Sequence, residues 1–310
     1  MMRVKNFAHS TFATTNHQTM ADAQALLQKA DKKAASGGGG GFSRFFGGGT
    51  TNYEDAAELY IQAANAFKLQ RMSKEAGQSF EKAAAMQLKT DEKDDAPNTL
   101  VEAYKVYRKT DPEDAARVME SAIQMYTAKG NFRRAATNKS DLAGLYELEL
   151  SDIPKALEAY DVAGEWFSGD QAEALANKAW LKVGELAALQ EDYARAIARF
   201  EDVARSSVSN NLTRYSVKEY FFKAGLCHIA SGDLVATKRA FDTYLNLDPG
   251  FMSTREFELL QDIVTAIESA DQELFTEKVF GYDQLSKLDK WKTTLLLKIK
   301  NGIEDEPDLT

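Results

Sequence analysis

The sequence predicts an all-α protein built from helical hairpins, and three observations carry that prediction. Only 5 prolines interrupt the 310 residues, and runs of β-branched residues, which favour strands, are few. From Tyr53 onward, alanines and aromatics recur at helical spacing behind a short turn that carries an acid. The recurrence also has a period: Ala156 and Ala196 lie 40 residues apart, as do Tyr160 and Phe200, while Phe200 and Phe241 lie 41 apart.

Residues 1–19 differ in composition from the rest of the chain. They are polar, rich in Thr and Asn and free of acids, with Arg3 and Lys5 as cations. A mitochondrial presequence would carry more Arg and a clearer amphipathic pattern. A helical signal begins at Met20 and runs through Ala21-Asp22-Ala23-Gln24-Ala25-Leu26-Leu27-Gln28-Lys29-Ala30. Met20 is therefore the expected usual start, with 1–19 as a disordered extension.

A loop over 36–51 comes next. Five glycines precede Phe42-Ser43-Arg44-Phe45-Phe46, and three more come after it. Glycine on both sides holds neither helix nor strand, so Phe42, Phe45 and Phe46 have no element to carry them into a core. Two readings stand. The rings fold back onto the next helix, or they enter something else, with a membrane the obvious candidate. Full desolvation of three Phe side chains is worth at most roughly 5–9 kcal/mol. Partial insertion and ordering of the loop reduce that to weak, reversible anchoring.

Residues 20–250 form the repeat region. Its copies read Asp152-Ile153-Pro154-Lys155-Ala156-Leu157-Glu158-Ala159-Tyr160, then Asp192-Tyr193-Ala194-Arg195-Ala196-Ile197-Ala198-Arg199-Phe200. A third is Gly232-Asp233-Leu234 with Ala240-Phe241 and Tyr244, and Gly130-Asn131-Phe132-Arg133-Arg134-Ala135 is a degenerate one. Small alanines let helices approach, and an aromatic fills the groove against the next hairpin. The pattern resembles the tetratricopeptide repeat with longer helices, and it implies a twisted, right-handed solenoid sheet.

Beyond Asp248-Pro249-Gly250 the punctuation stops. Residues 251–270 and 271–287 read as helices. A last one from Asp289 carries Leu288, Trp291, Leu295 and Ile299 at three- and four-residue spacing, with Lys298 and Lys300 suiting the dipole at its end. Residues 251–300 are expected as a C-terminal helical bundle and 301–310 as an acidic tail.

Composition excludes several classes. No apolar run approaches the length of a membrane-spanning helix. A formal net charge of −9 speaks against generic nucleic-acid binding. The lone Cys227 rules out an internal disulfide and, among apolar neighbours, reads as a buried structural thiol. His228 lies in the same stretch and reads as a satisfied core or surface histidine; His9 and His17 lie in the extension. No phosphate-binding glycine motif, zinc-protease helix, Cys/His cluster or nucleophile elbow occurs. The sequence thus calls for no enzyme, metal or cofactor.

One cationic set stands against the acidic total. Arg133, Arg134 and Lys139 are followed at hairpin distance by Lys178 and Lys182, then by Arg214 and Lys218. Lys178 and Lys182, four apart, share a helix face. Either these are ordinary solvated cations, or equivalent faces of successive hairpins align them against an elongated acidic partner. Exposed pairs give only about 0–1 kcal/mol each, but a row of them steers and orients a partner.

Together these residues resemble the α-SNAP family of soluble NSF attachment proteins, from about Met20 to Thr310. The glycine-flanked Phe42–Phe46 segment is similar to the family's membrane-attachment loop. Ala176-Asn177-Lys178-Ala179-Trp180-Leu181-Lys182, Tyr215-Ser216-Val217-Lys218-Glu219-Tyr220-Phe221-Phe222-Lys223, Leu288-Asp289-Lys290-Trp291-Lys292-Thr293-Thr294 and the acidic end with penultimate Leu309 are also family-like. The five-glycine run before Phe42 is longer than the family's usual loop. The resemblance implies a cytoplasmic adaptor, peripheral on membranes, that lies along the four-helix SNARE bundle. It would recruit and stimulate a hexameric NSF-type AAA+ ATPase for SNARE disassembly. On that basis Lys178 and Lys182 are the foremost SNARE contacts, with Arg133, Arg134, Lys139 and Lys218 behind them. Phe42, Phe45 and Phe46 would touch the bilayer. Leu309 with Glu304, Asp305, Glu306 and Asp308 would engage the ATPase. The rival reading is a tetratricopeptide-type scaffold for another helical partner or a chaperone C-terminus, for which Asn177-Lys178 is thin support.

Overall fold

A computed structural model of the chain describes residues 5–37 and 48–303. Every regular element among them is helical, and two compact units divide between Asp170 and Gln171. The first unit holds α1 (Lys5–Gly37), α2 (Gly48–Leu69), α3 (Ser73–Gln87), α4 (Ala96–Tyr107), α5 (Pro112–Ala128), α6 (Phe132–Leu148) and α7 (Ile153–Gly169). The second holds α8 (Glu173–Leu189), α9 (Tyr193–Val208), α10 (Val217–Ala230), α11 (Leu234–Leu247), α12 (Arg255–Glu268), α13 (Gln272–Leu285) and α14 (Lys290–Asn301). Within the first unit each helix packs on the next. In the second, α8 to α11 pack in sequence, α12 lies on α10 and α13, and α14 reaches back to α10 and α8.

The recurring acid of the sequence caps α7, α9, α11 and α13. Asp152, Asp192, Asp233 and Asp271 each accept the backbone N–H three residues on, from Lys155, Arg195, Ala236 and Leu274, at 2.8–3.2 Å. Asn131 does the same for Arg134. These bonds satisfy donors that a helix N-terminus otherwise leaves orphaned. The residue before each cap closes the preceding helix in the left-handed conformation, at φ 54° in Ser151, 63° in Glu191 and 52° in Ala270, and also in Gly130 and Gly232. Only two of these five junctions use glycine, the residue that adopts this region without steric cost.

The periodic alanines are the contact points between helices. Ala156 and Ala196 are fully buried, and Phe200 behind them is too. The ring of Phe200 lies against Gly184 on α8, where a Cβ would stand 2.8 Å from Cε1. Gly225 on α10 similarly faces Leu260 and Phe241. Small residues thus set the helix separation, and aromatics fill what remains. Tyrosines at the hairpin interfaces keep their hydroxyls paired: Tyr60 donates to Asp31, Tyr107 to Glu81, Tyr146 to Glu120 and Tyr244 to Glu201, all at 2.7–2.8 Å.

An aromatic core runs through the second unit across Pro249. Phe221 stacks on Tyr244 with centroids 4.6 Å apart, Phe251 lies 5.3 Å from Phe221, and Phe257 lies 5.2 Å from Phe251. The helices after residue 250 therefore share their packing with α10 and α11.

The structure differs from expectation at the start of the chain. The backbone is helical from Lys5, through a segment expected to be disordered, and continues into α1. No glycine or proline occurs before Gly37 to stop it. At the other side of the glycine loop, α2 begins at Gly48 and so takes up residues assigned to the loop. Phe42, Phe45 and Phe46, and Glu304, Asp305, Glu306, Asp308 and Leu309, lie outside the described residues.

Candidate functional site

In the first unit α6 carries Arg133 and Arg134 in its opening turn and Lys139 farther along. At about 100° per residue these three point in different directions around the helix. Arg133 Nη1 pairs with Asp170 Oδ2 at 3.0 Å. Arg134 turns to α4, donating to Asn98 Oδ1 at 3.1 Å, with its guanidinium 5.9 Å from the Tyr126 ring centroid. Asn98 Oδ1 also accepts the Tyr126 hydroxyl at 2.6 Å. Lys139 is half-buried. The three cations thus do not share one face.

In the second unit Lys178 and Lys182 share a face of α8, about 40° apart around its axis. Lys178 is exposed and Lys182 half-buried. Lys218, in the first turn of α10, is differently placed. Its Nζ lies 2.9 Å from Oε1 of Glu256, a buried residue of α12, and 5.7 Å from the Tyr215 ring centroid. Nearby, Arg214 and Asp248 approach to 3.9 Å.

The loop between α9 and α10 adds two apolar groups. Leu212 is 93% exposed and Tyr215 85%, beside the cations Arg214 and Lys218. The signal that marks Phe42, an apolar side chain on a segment with no core to enter, is present in Asn210-Asn211-Leu212-Thr213-Arg214-Tyr215 as well. Sequence reasoning does not apply it there.

Beneath the α8 surface lies a row of alternating charges that the sequence does not reveal. Lys223 Nζ lies 2.6 Å from Glu185 and 3.9 Å from Glu219, and Lys292 Nζ lies 2.6 Å from Glu219 and 3.3 Å from Asp289. The lysine side chains are about one-tenth exposed. Aromatic rings flank them: Lys223 lies 5.5 Å from the Trp291 centroid and 5.9 Å from that of Phe200.

Cys227 and His228 are engaged within the fold. Cys227 is fully buried, and burial pushes its thiol well above the ordinary range. His228 Nε2 lies 3.1 Å from Glu201 Oε1. Burial pushes the Glu201 carboxyl up, but hydrogen bonds from His228, Tyr244 and Arg205 outweigh it and hold the group below the usual carboxylate range. Among the described residues no cluster of His, Cys, Asp and Glu has the arrangement of a metal site. No helix among them is long and apolar enough to cross a membrane.

Paired helices, capped by an acid at α7, α9, α11 and α13, describe an all-α helical-hairpin protein that presents exposed cations on its surface. Residues 21–304 match the family described as "Soluble NSF attachment protein, SNAP". The "Probable vesicular-fusion protein sec17 homolog" of Schizosaccharomyces pombe is 56% identical over 292 residues, covering 94% of this chain and 100% of that one. The "Alpha-soluble NSF attachment protein" of Saccharomyces cerevisiae is 38% identical over 290 residues, 93% of this chain and 99% of that one. Its namesake in Homo sapiens is 39% identical over 290 residues, 93% and 97% of the two chains. The chain belongs to the soluble NSF attachment protein family.

Proposed function

We propose that this protein is the adaptor of SNARE disassembly in vesicle fusion: it binds assembled SNARE complexes and recruits and stimulates an NSF-type ATPase. The observation that carries this reading is the near-full-length similarity to proteins named for NSF attachment and vesicular fusion. Membership of the family supports an adaptor role. The exposed Lys178 and its neighbour Lys182 on α8 are the main contacts for the acidic surface of a SNARE bundle. Leu212 and Tyr215 supply apolar contact, of the kind that outweighs solvated ion pairs at interfaces. Arg133, Arg134 and Lys139 contribute from α6, and Lys218 contributes least because Glu256 already holds it. Phe42, Phe45 and Phe46 attach the protein peripherally to the membrane that anchors the SNAREs. Several copies on one bundle would sum such weak insertions through effective concentration. Leu309 and the acids Glu304, Asp305, Glu306 and Asp308 engage the ATPase.

The test is disassembly of a purified SNARE complex by the ATPase with ATP, with and without this protein. Disassembly that depends on the protein is expected; equal rates without it would end the reading. Lys178→Glu with Lys182→Glu should abolish capture of the SNARE complex while the helical fold, read by circular dichroism, stays intact, since Lys178 is exposed and Lys182 only half-buried. Capture at the wild-type level would remove α8 from the contact surface.

A further inference from the structure

The helix that leads into residues 304–310 is docked by chemistry suited to fixing orientation. Leu295, Leu296 and Ile299 of α14 are buried, as is Ile303 just beyond its end. Gln272 Nε2 donates to the Ile303 carbonyl oxygen at 2.9 Å, so the backbone is pinned one residue before the acidic segment begins. At the helix start, Trp291 Nε1 donates to the carbonyl oxygen of Glu185 on α8 at 2.9 Å, and its ring meets Phe200 edge-on at 5.7 Å. The alternating series Glu185, Lys223, Glu219, Lys292 and Asp289 then links α8, α10 and α14 through contacts of 2.6–3.9 Å. Lys298, in the last turn of α14, pairs with Glu191 in the turn between α8 and α9.

Apolar burial alone would hold α14 to the unit at less cost, because buried ion pairs are poor sources of net stability and well-packed apolar groups often replace them without loss. An apolar seam, however, is non-directional and lets a helix slide or rotate. The indole N–H fixes α14 directly against α8, which carries Lys178 and Lys182, while Lys292 ties it to Glu219 of α10, whose Lys223 in turn pairs with Glu185 of α8. Directional contacts to two helices restrict the register.

We propose that Trp291 and Lys292 are positioning residues that make α14 a fixed arm, setting the direction in which the acidic segment leaves the fold relative to Lys178 and Lys182 on α8. The proposal rests on the adaptor reading above and gives it a mechanical element. The surface that grips the SNARE bundle and the helix from which the ATPase-engaging segment departs are thereby fixed to each other.

The experiment uses the full-length chain carrying Asn301→Cys as the attachment point for a spin label, with Cys227 buried and unreactive. Lys292→Met removes the shared cation, Trp291→Phe keeps a ring and removes only the N–H donor, and Lys292→Arg restores the charge. Both disruptive variants should capture SNARE complexes as the wild type does. They should show a more mobile label and lose disassembly rate by about fivefold or more, with the arginine variant recovering both. Leu309→Ala provides the contrast, losing rate with an ordered label. Wild-type rate with a mobile label would overturn the proposal, as would lost rate with a label as ordered as in the wild type. Should Lys292→Met fail to fold, Trp291→Phe carries the same comparison. A wild-type chain that supports no disassembly would defeat the adaptor reading; unchanged label mobility in the folded variants would defeat the arm independently.

Discussion

Gly184→Ala and Gly281→Ala make the same chemical change in the same kind of element and should move stability in opposite directions. Both glycines lie inside helices, α8 and α13, where alanine is intrinsically favoured by about 0.8–1.0 kcal/mol. At Gly281 a new Cβ meets nothing within 4 Å, so the gain is realised and the variant should be more stable by about 1 kcal/mol. At Gly184 the Cβ would stand 2.8, 2.9 and 3.1 Å from Cε1, Cζ and Cδ1 of Phe200. That ring has nowhere to go. It is fully buried, with Trp291 edge-on at 5.7 Å and the Lys223 ammonium at 5.9 Å on its surroundings. Overpacking of this kind costs about 1–3 kcal/mol, which exceeds the propensity gain in most of that range. The two variants should therefore differ by roughly 1–3 kcal/mol, the overpacking cost alone, because propensity cancels between them. Urea unfolding followed by tryptophan fluorescence reads this directly, since Trp180 and Trp291 lie in the same unit as both sites. A Gly184→Ala variant stabilised as much as Gly281→Ala would refute the reasoning that glycine at this period sets the helix spacing.

Ser151, at φ 54°, should gain about 1 kcal/mol on mutation to glycine through relief of the left-handed conformation; Gly130→Ala, at φ 71° with open space around its Cβ, should lose a similar amount, and thermal melts of the two compare them. Lys218→Met should lower the unfolding free energy by about 1 kcal/mol because it strands the buried Glu256 carboxylate, while leaving SNARE capture nearly intact; a large loss of capture at unchanged stability would reverse the assignment. The lowered Glu201 carboxyl stabilises the fold fully above its ordinary value near 4.5, and that contribution is lost as pH falls below it. Glu201→Gln should accordingly flatten acid unfolding below about pH 4.5 relative to wild type, and an identical acid limb in a pH titration of the folded fraction would contradict it.

Fold class and repeat period were legible because both are one-dimensional signals. Alanine at Ala156 and Ala196 with an aromatic four residues on is a local pattern, and the acid that opens each copy is a local cap. The roles of Gly184 and Gly225 were not legible. They sit sixteen residues before Phe200 and Phe241, across a turn, and only the folded hairpin shows that each lies against that ring. The helical trace over residues 5–19 was missed for a related reason: a polar composition with few apolar anchors argues for disorder, but no residue there breaks a helix once α1 provides one to extend. At the candidate site, spacing identified Lys178 and Lys182 as one face because a four-residue interval fixes that locally. It could not tell that Lys218 neutralises Glu256, that Arg133 and Arg134 turn to different neighbours, or that Lys223 and Lys292 meet through Glu219 from helices far apart in sequence.

The pairing state of each cation decides what it can give a partner. A lysine already bonded within its own chain must surrender that bond before it gains another, so its net contribution is a difference. For Arg133 the loss is small, because its bond to Asp170 is solvent-exposed and such pairs are worth about 0–1 kcal/mol. For Lys218 the loss includes leaving a carboxylate with a side chain only 10% exposed without its counter-charge, and that exceeds what a rim contact returns. Lys223 and Lys292 sit at the extreme of this scale and act inside the fold. Lys178, exposed on α8, keeps most of what it gains. The cations of this region therefore separate into two groups that spacing alone merges: Lys178, exposed on α8 and open to a partner, and Lys223 and Lys292, about one-tenth exposed and paired within the fold.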